Sequence, residues 1–174
     1  MQAFAHETAR SGGPPRRLSV VIPAFNEALR LPPTLARVAA YLEADGSWLP
    51  AEIVVVDDGS RDGTAAAAVL DRAPAGIDLR VLVHEKNRGK GAAVRTGFAA
   101  AAGAWVLLTD ADLSAPIEDL ATLAPAAAPN GVAVGSRAVD RRLVGTPQPR
   151  HRDLMGRSFN LVLRALRLTR LGDT

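Results

Sequence analysis

Short apolar runs alternating with helix-forming segments constrain this chain most. Leu18-Ser19-Val20-Val21-Ile22, Ile53-Val54-Val55-Val56, Leu79-Arg80-Val81-Leu82-Val83 and Trp105-Val106-Leu107-Leu108 are rich in β-branched and bulky apolar side chains. A strand that is apolar at successive positions buries both of its faces, as parallel strands covered by helices do. Helical segments fall between the runs. Pro32-Pro33 suits a first helical turn, and Leu35, Val38, Ala39 and Leu42 form an apolar stripe that Gly46 ends. Further helices are expected over residues 63–73, over 90–102 and after Pro116, with Val132-Ala133-Val134 as a fifth strand. The expected fold class is α/β: a Rossmann-like, mostly parallel sheet with helices on both faces.

Right-handed crossovers place the carboxyl ends of all parallel strands on one edge, where open α/β sheets bind ligands. Each of the four main runs is followed there by a polar loop. The first is Pro23-Ala24-Phe25-Asn26-Glu27, with a ring to cover a base or ribose and an acid to accept hydrogen bonds. The second is Asp57-Asp58-Gly59-Ser60-Arg61-Asp62-Gly63-Thr64, in which one carboxylate can orient a loop while the other accepts N–H groups from a base. The third, Lys86-Asn87-Arg88-Gly89-Lys90-Gly91, runs into a helix; its glycines permit close approach, and its charges and the helix N-terminus favour a phosphate. The fourth is Thr109-Asp110-Ala111-Asp112-Leu113-Ser114. Two acids one residue apart at the end of a buried strand need compensation, which a hard divalent cation with oxygen ligands provides. Each loop alone is also explained by turn and capping chemistry. Their shared position after successive strands is what points to a nucleotide diphosphate.

A length of 174 residues suits one α/β domain with a proper core. With aromatic residues at 4%, that core is built from Val, Leu, Ile and Ala. There is no cysteine, which excludes disulfides and thiolate metal sites and fits a reducing compartment. The net charge of +3 and the pI of about 10.1 allow acidic partners, but the basic residues are not interleaved with stacking aromatics, which argues against nucleic acid. No apolar stretch reaches the length of a transmembrane helix. His84 and His151 are single histidines without ligand spacing and receive no role, nor does His6.

Taken in order, these loops, together with Val94-Arg95-Thr96-Gly97 and Gly135-Ser136-Arg137, resemble family 2 inverting glycosyltransferases of the GT-A fold. The likeness is to the dolichyl-phosphate glucosyltransferase and polyprenyl-phosphate mannosyltransferase branch, over residues 18–174. It implies a GT-A core with nucleotide-sugar contacts from Pro23, Ala24, Phe25, Glu27, Asp58, Lys90, Asp110 and Ala111. It implies Asp112 and Asp110 as ligands of Mg2+ or Mn2+, and Asp110, Asp112 and Arg137 as the catalytic residues. The implied reaction moves a hexose from UDP-glucose or GDP-mannose to a polyprenyl or dolichyl phosphate, with the 86–97 stretch favouring UDP-glucose. The implied location is cytoplasmic, with peripheral membrane contact. Phe25 departs from the family's common tyrosine, losing a hydroxyl but keeping the ring.

Three segments are expected: a flexible leader at 1–17, a nucleotide-sugar-binding core at 18–137, and a basic acceptor-side segment at 138–174. The last contains an arginine-rich helix over residues 155–171 and stops before acceptor-side structure that the family normally has. Two alternatives follow: a donor-binding fragment without turnover, and a transferase with a saccharide acceptor. A nucleotidyltransferase is disfavoured, because residues 23–27 contain neither glycine nor lysine.

Overall fold

The computed structural model describes residues 17–69, 74–128 and 131–135. The chain divides into two compact units, Met1–Leu120 and Ala121–Thr174. The first contains four parallel strands, β1 (Leu18–Ala24), β2 (Ala51–Asp57), β3 (Ile77–Val83) and β4 (Trp105–Leu108), in the order β3-β2-β1-β4. Its helices are α1 (Leu31–Asp45), α2 (Thr64–Ala67) and α3 (Lys90–Ala100), with a turn of 3-10 helix at Ile117–Asp119.

The connections move in one direction from β1 to β3, then return across the sheet to β4. Right-handed crossovers in opposite directions put α1 and α3 on opposite faces. The face bearing Val21, Val54 and Val56 forms a core with Ala93 of α3. Here α3 lies close, because a Cβ on Gly97 would stand 2.3 Å from Val21 Cγ1. On the alternate positions Val20, Ile22, Ile53 and Val55 are fully buried, as are Leu31, Leu35, Val38 and Leu42 of α1. α1 starts with its prolines in the first turn and ends at Gly46 in the left-handed region (φ 68°), as its sequence predicts.

Burial is complete only at the centre of the sheet. Every residue of β2 is buried, whereas Trp105, Val106 and Leu108 of β4 are 37–42% exposed. β4 is an edge strand among the described residues, so its apolar run does not mean two covered faces there.

The amino edge of the sheet contains a closed polar cluster. Glu52 is fully buried beside Ser19, its register partner on β1. Its Oε1 accepts the Ser19 hydroxyl and the Ala102 amide, both at 2.7 Å, and its Oε2 accepts Arg80 Nη1 at 3.1 Å. Arg80 also donates to the Ala100 carbonyl, and Gly103 N–H donates to Ser19 Oγ. The end of α3 and the start of β4 are thereby fixed to β1 and β2.

Two helices and one strand differ from expectation. α2 stops after one turn, with Ala68 leaving at ψ 71°, and residues 70–73 lie outside the described residues. The helix expected after Pro116 begins as the 3-10 turn and continues as α4 (Leu120–Ala127). Val132-Ala133-Val134 is irregular, with both valines more than 60% exposed, since a strand needs a ladder partner and none pairs with it among the described residues. Arg137 and the basic helix expected over 155–171 lie outside the described residues.

Candidate functional site

The carboxyl ends of β1, β2 and β4 open on one pocket of about 240 Å³, lined by Pro23, Ala24, Phe25, Glu27, Asp58, Lys90, Ala93, Asp110, Ala111 and Asp112. It lies where α1 and α3 leave toward opposite faces, the crevice in which this class of sheet binds ligands. The expected site residues that fall among the described residues all meet here, and Arg137 lies outside them.

The first two loops are laced together by backbone donors. Asn26 N–H donates to Ser60 Oγ, Glu27 N–H to Thr64 Oγ1 and Ala28 N–H to Asp62, while Arg61 N–H donates to Asn26 Oδ1. Asn26 takes a left-handed conformation (φ 56°), which asparagine tolerates. Phe25, next to it, is 44% exposed and lines the pocket. Glu27 pairs with Arg30 at 2.9 Å.

The two adjacent acids after β2 serve different loops. Asp57 Oδ1 accepts Ser60 N–H and holds its own turn. Asp58, 2% exposed, reaches across to the third loop, accepting Arg88 N–H and Gly89 N–H, the latter at 2.7 Å. It also accepts His84 Nδ1 at 2.7 Å, and His84 Nε2 bonds Thr96 Oγ1 at 2.9 Å. Burial pushes the Asp58 carboxyl up, but the bonds from His84, Arg88 and Gly89 outweigh it and hold it below the ordinary range. Asp58 therefore holds the backbone that leads into α3, accepting from the two residues just before the helix. The amides of Arg88 and Gly89 face this carboxylate, so the third loop offers the pocket its Lys90 side chain in place of those amides. Gly59 makes the junction possible: at φ 73°, its added Cβ would lie 2.5 Å from the Lys86 carbonyl carbon.

The fourth loop is a tight turn. Leu113 N–H donates to the Asp110 carbonyl, with Leu113 at φ 46°. Thr34 of α1 donates its buried hydroxyl to the Ala111 carbonyl at 2.7 Å and fixes the middle of the triplet. Asp112 Oδ1 accepts both the hydroxyl and the amide of Ser114. The hydroxyl bond does most to hold the Asp112 carboxyl below the ordinary range, so it is ionised at neutral pH. Asp110 accepts Lys90 Nζ at 2.7 Å in a pair that stays largely exposed.

Among the described residues no group of three or more His, Cys, Asp or Glu side chains can hold a metal by itself. Two carboxylates at the mouth of an open pocket suit a hard cation that completes its shell with water and phosphate oxygens. Asp110 and Asp112 thus fit a Mg2+ or Mn2+ ion arriving with a diphosphate better than a dedicated protein cage.

Sequence reasoning assigned no role of their own to His84, Thr34 and Thr96. A single histidine after a strand carries no spacing signal, and the two threonines look like ordinary helix residues. Only the fold places them beside the site loops.

The sequence profile of glycosyl transferase family 2 matches residues 19–172. The chain belongs to this family. It is 40% identical over 136 residues to a dolichyl-phosphate beta-glucosyltransferase of Drosophila melanogaster, covering 72% of this chain and 42% of that protein. It is 36% identical over 165 residues to an undecaprenyl-phosphate 4-deoxy-4-formamido-L-arabinose transferase of Pseudomonas aeruginosa, covering 86% of this chain and 47% of that protein. Among solved structures it resembles the mannosyltransferase PcManGT from Pyrobaculum calidifontis in complex with GDP-Man and Mn2+, with 31% identity, a TM-score of 0.49, and coverage of 61% of this chain and 30% of that one. The chain spans less than half the length of these curated relatives. Among the described residues no helix is long and apolar enough to cross a membrane.

Proposed function

We propose that this chain is the donor-binding part of a metal-dependent inverting glycosyltransferase that moves a hexose from a nucleotide diphosphate sugar to a polyprenyl phosphate. The observation that carries it is the meeting of an exposed ring, a lysine and a carboxylate pair in one crevice at the carboxyl edge of a parallel sheet. Phe25 stacks on the base or ribose, and Glu27 accepts hydrogen bonds from it. Lys90 faces the diphosphate, and Asp110 and Asp112 hold the cation. The relatives named for glucosyl transfer to dolichyl phosphate favour glucose as the sugar, and the family likeness of the 86–97 stretch favours UDP as its carrier.

In the transfer, a phosphate oxygen of the acceptor attacks the anomeric carbon from the side opposite the diphosphate. The bond from that carbon to the diphosphate oxygen breaks, and the nucleoside diphosphate leaves with the bonding pair. A bound divalent cation supplies Lewis-acid stabilisation of the leaving group. Lys90, once drawn from Asp110 to the phosphates, adds a positive charge where negative charge grows. A phosphate monoester has a second pKa of about 6 and is largely dianionic at neutral pH, so the acceptor attacks without a strong protein base. Arg137 is proposed to face the phosphates or the acceptor. Contact with an anionic membrane surface through the arginine-rich residues 138–174 completes the proposal.

The test is a panel of UDP, GDP and their glucose and mannose conjugates, with Mn2+ or Mg2+, measured for binding, hydrolysis and transfer to short polyprenyl phosphates. Metal-dependent binding of one donor, abolished in Asp112→Ala, supports the reading. No metal-dependent binding, or an Asp112→Ala variant equal to wild type, overturns it. Binding without transfer assigns the chain to donor recognition alone.

A further inference from the structure

The buried His84 lies outside the pocket lining yet joins two elements that build it. Its side chain is 8% exposed, and both ring nitrogens are engaged, one by Asp58 and the other by Thr96 in α3. Asp58 in turn holds the amides of Arg88 and Gly89, directly before Lys90. Asp58 is anchored to β2, and Thr96 lies between Lys90 and the end of α3. The ring is thus a strut of fixed length between the end of the sheet and the helix whose first residue carries the pocket's lysine. A carboxylate alone rotates about its last bond, whereas one that also accepts from a rigid imidazole, itself bonded at its far side, has that rotation removed.

We infer that His84 is a positioning residue for the diphosphate half of the donor, acting through Asp58 and the N-terminus of α3 to aim Lys90. This rests on the donor-site reading above. Asp58 also lines the pocket, but its carboxylate oxygens are taken by His84, Arg88 and Gly89, which leaves the nucleoside half to Phe25 and Glu27 on the first loop, so the two halves of the donor should respond differently when His84 is changed.

The experiment has two arms on the full chain. In the first, amide hydrogen exchange of the unliganded protein is compared for wild type, His84→Ala and His84→Asn, the last keeping an N–H where Nδ1 stands. The Arg88 and Gly89 amides should exchange at least about tenfold faster in His84→Ala and return toward wild type in His84→Asn, with the β2 amides unchanged. In the second, UDP and UMP (or GDP and GMP, whichever base the wild type binds) are titrated with Mn2+ present. His84→Ala should lose about tenfold in diphosphate affinity and less than twofold in monophosphate affinity, with Thr96→Val intermediate. Unchanged exchange at Arg88 and Gly89, or parallel losses for diphosphate and monophosphate that follow the melting temperature, overturns the inference. If wild type binds neither nucleotide, the donor-site reading fails and with it the diphosphate role of His84. The exchange arm alone then reports whether the strut exists.

Discussion

At the amino edge of the sheet, Glu52 is fully buried and both of its carboxylate oxygens accept from Ser19, Ala102 and Arg80. At the carboxyl edge, Asp110 is half exposed, Asp112 stands one residue away, and Lys90 balances one of the two charges. Both edges place acids against a parallel sheet, but only one leaves charge open to an incoming partner. A buried acid encircled by protein donors holds elements together. Two open acids sharing a pocket with a lysine and an exposed ring are organised for a ligand that brings its own charges. Asp58 lies between these cases, sealed like Glu52 yet located at the binding edge.

Substitutions at the two edges should separate these roles. The largest effect is expected for Asp112→Ala, which should weaken metal-dependent donor binding by about 1,000-fold, or ~4 kcal/mol, while lowering the melting temperature only slightly, since the bonds it loses to Ser114 are exposed. Calorimetric titration with Mn2+ and unfolding scans check both halves. A variant that melts early would place Asp112 among the structural acids. Glu52→Ala should do the converse, costing about 3 kcal/mol in urea unfolding because it strips partners from the buried Ser19 hydroxyl and Ala102 amide, with the affinity of the folded protein unaltered.

Asp58→Asn tests the intermediate case. An amide cannot accept on both sides, so the change should cost about 2 kcal/mol of stability and also weaken donor binding. Because the native carboxyl is held below its ordinary range, Asp58 stabilises the fold at neutral pH. That contribution is lost as the pH falls through the ordinary carboxylate range and then the depressed native value. The acid limb of the stability profile should therefore be shallower in Asp58→Asn than in wild type. The smallest change is expected for Lys90→Met. The exposed pair with Asp110 contributes under about 1 kcal/mol, so stability should be nearly unchanged while diphosphate affinity falls about tenfold. A loss of stability larger than the loss of affinity would make Lys90 a brace instead of a ligand contact.

The central strands were legible in the sequence because runs such as Val20-Val21-Ile22 and Ile53-Val54-Val55-Val56 are apolar at every position. The site loops were legible because a parallel sheet sends every strand end to one edge. Orientation was not. Asp57-Asp58 announced two carboxylates, but which neighbour each would hold depends on loops about 30 residues away closing over Gly59. Glu52, one residue before the Ile53 run, carried no signal, since nothing local shows that Ser19 and Arg80 will flank it. Val132-Ala133-Val134 misled for the opposite reason: its composition suits a strand, but strand formation depends on a neighbour that the run itself does not specify.

The bond from the Thr34 hydroxyl to the Ala111 carbonyl has a consequence for anyone transplanting this site. The acidic triplet is stretched over a peg that belongs to a helix 77 residues away in sequence. Copied alone onto a different parallel sheet, the three residues would carry the carboxylates but leave the peg behind. The turn would then be free to rotate its acids away from one another. A graft that includes a hydroxyl at the matching height on the neighbouring helix would reproduce the spread of the acids as well as their identity.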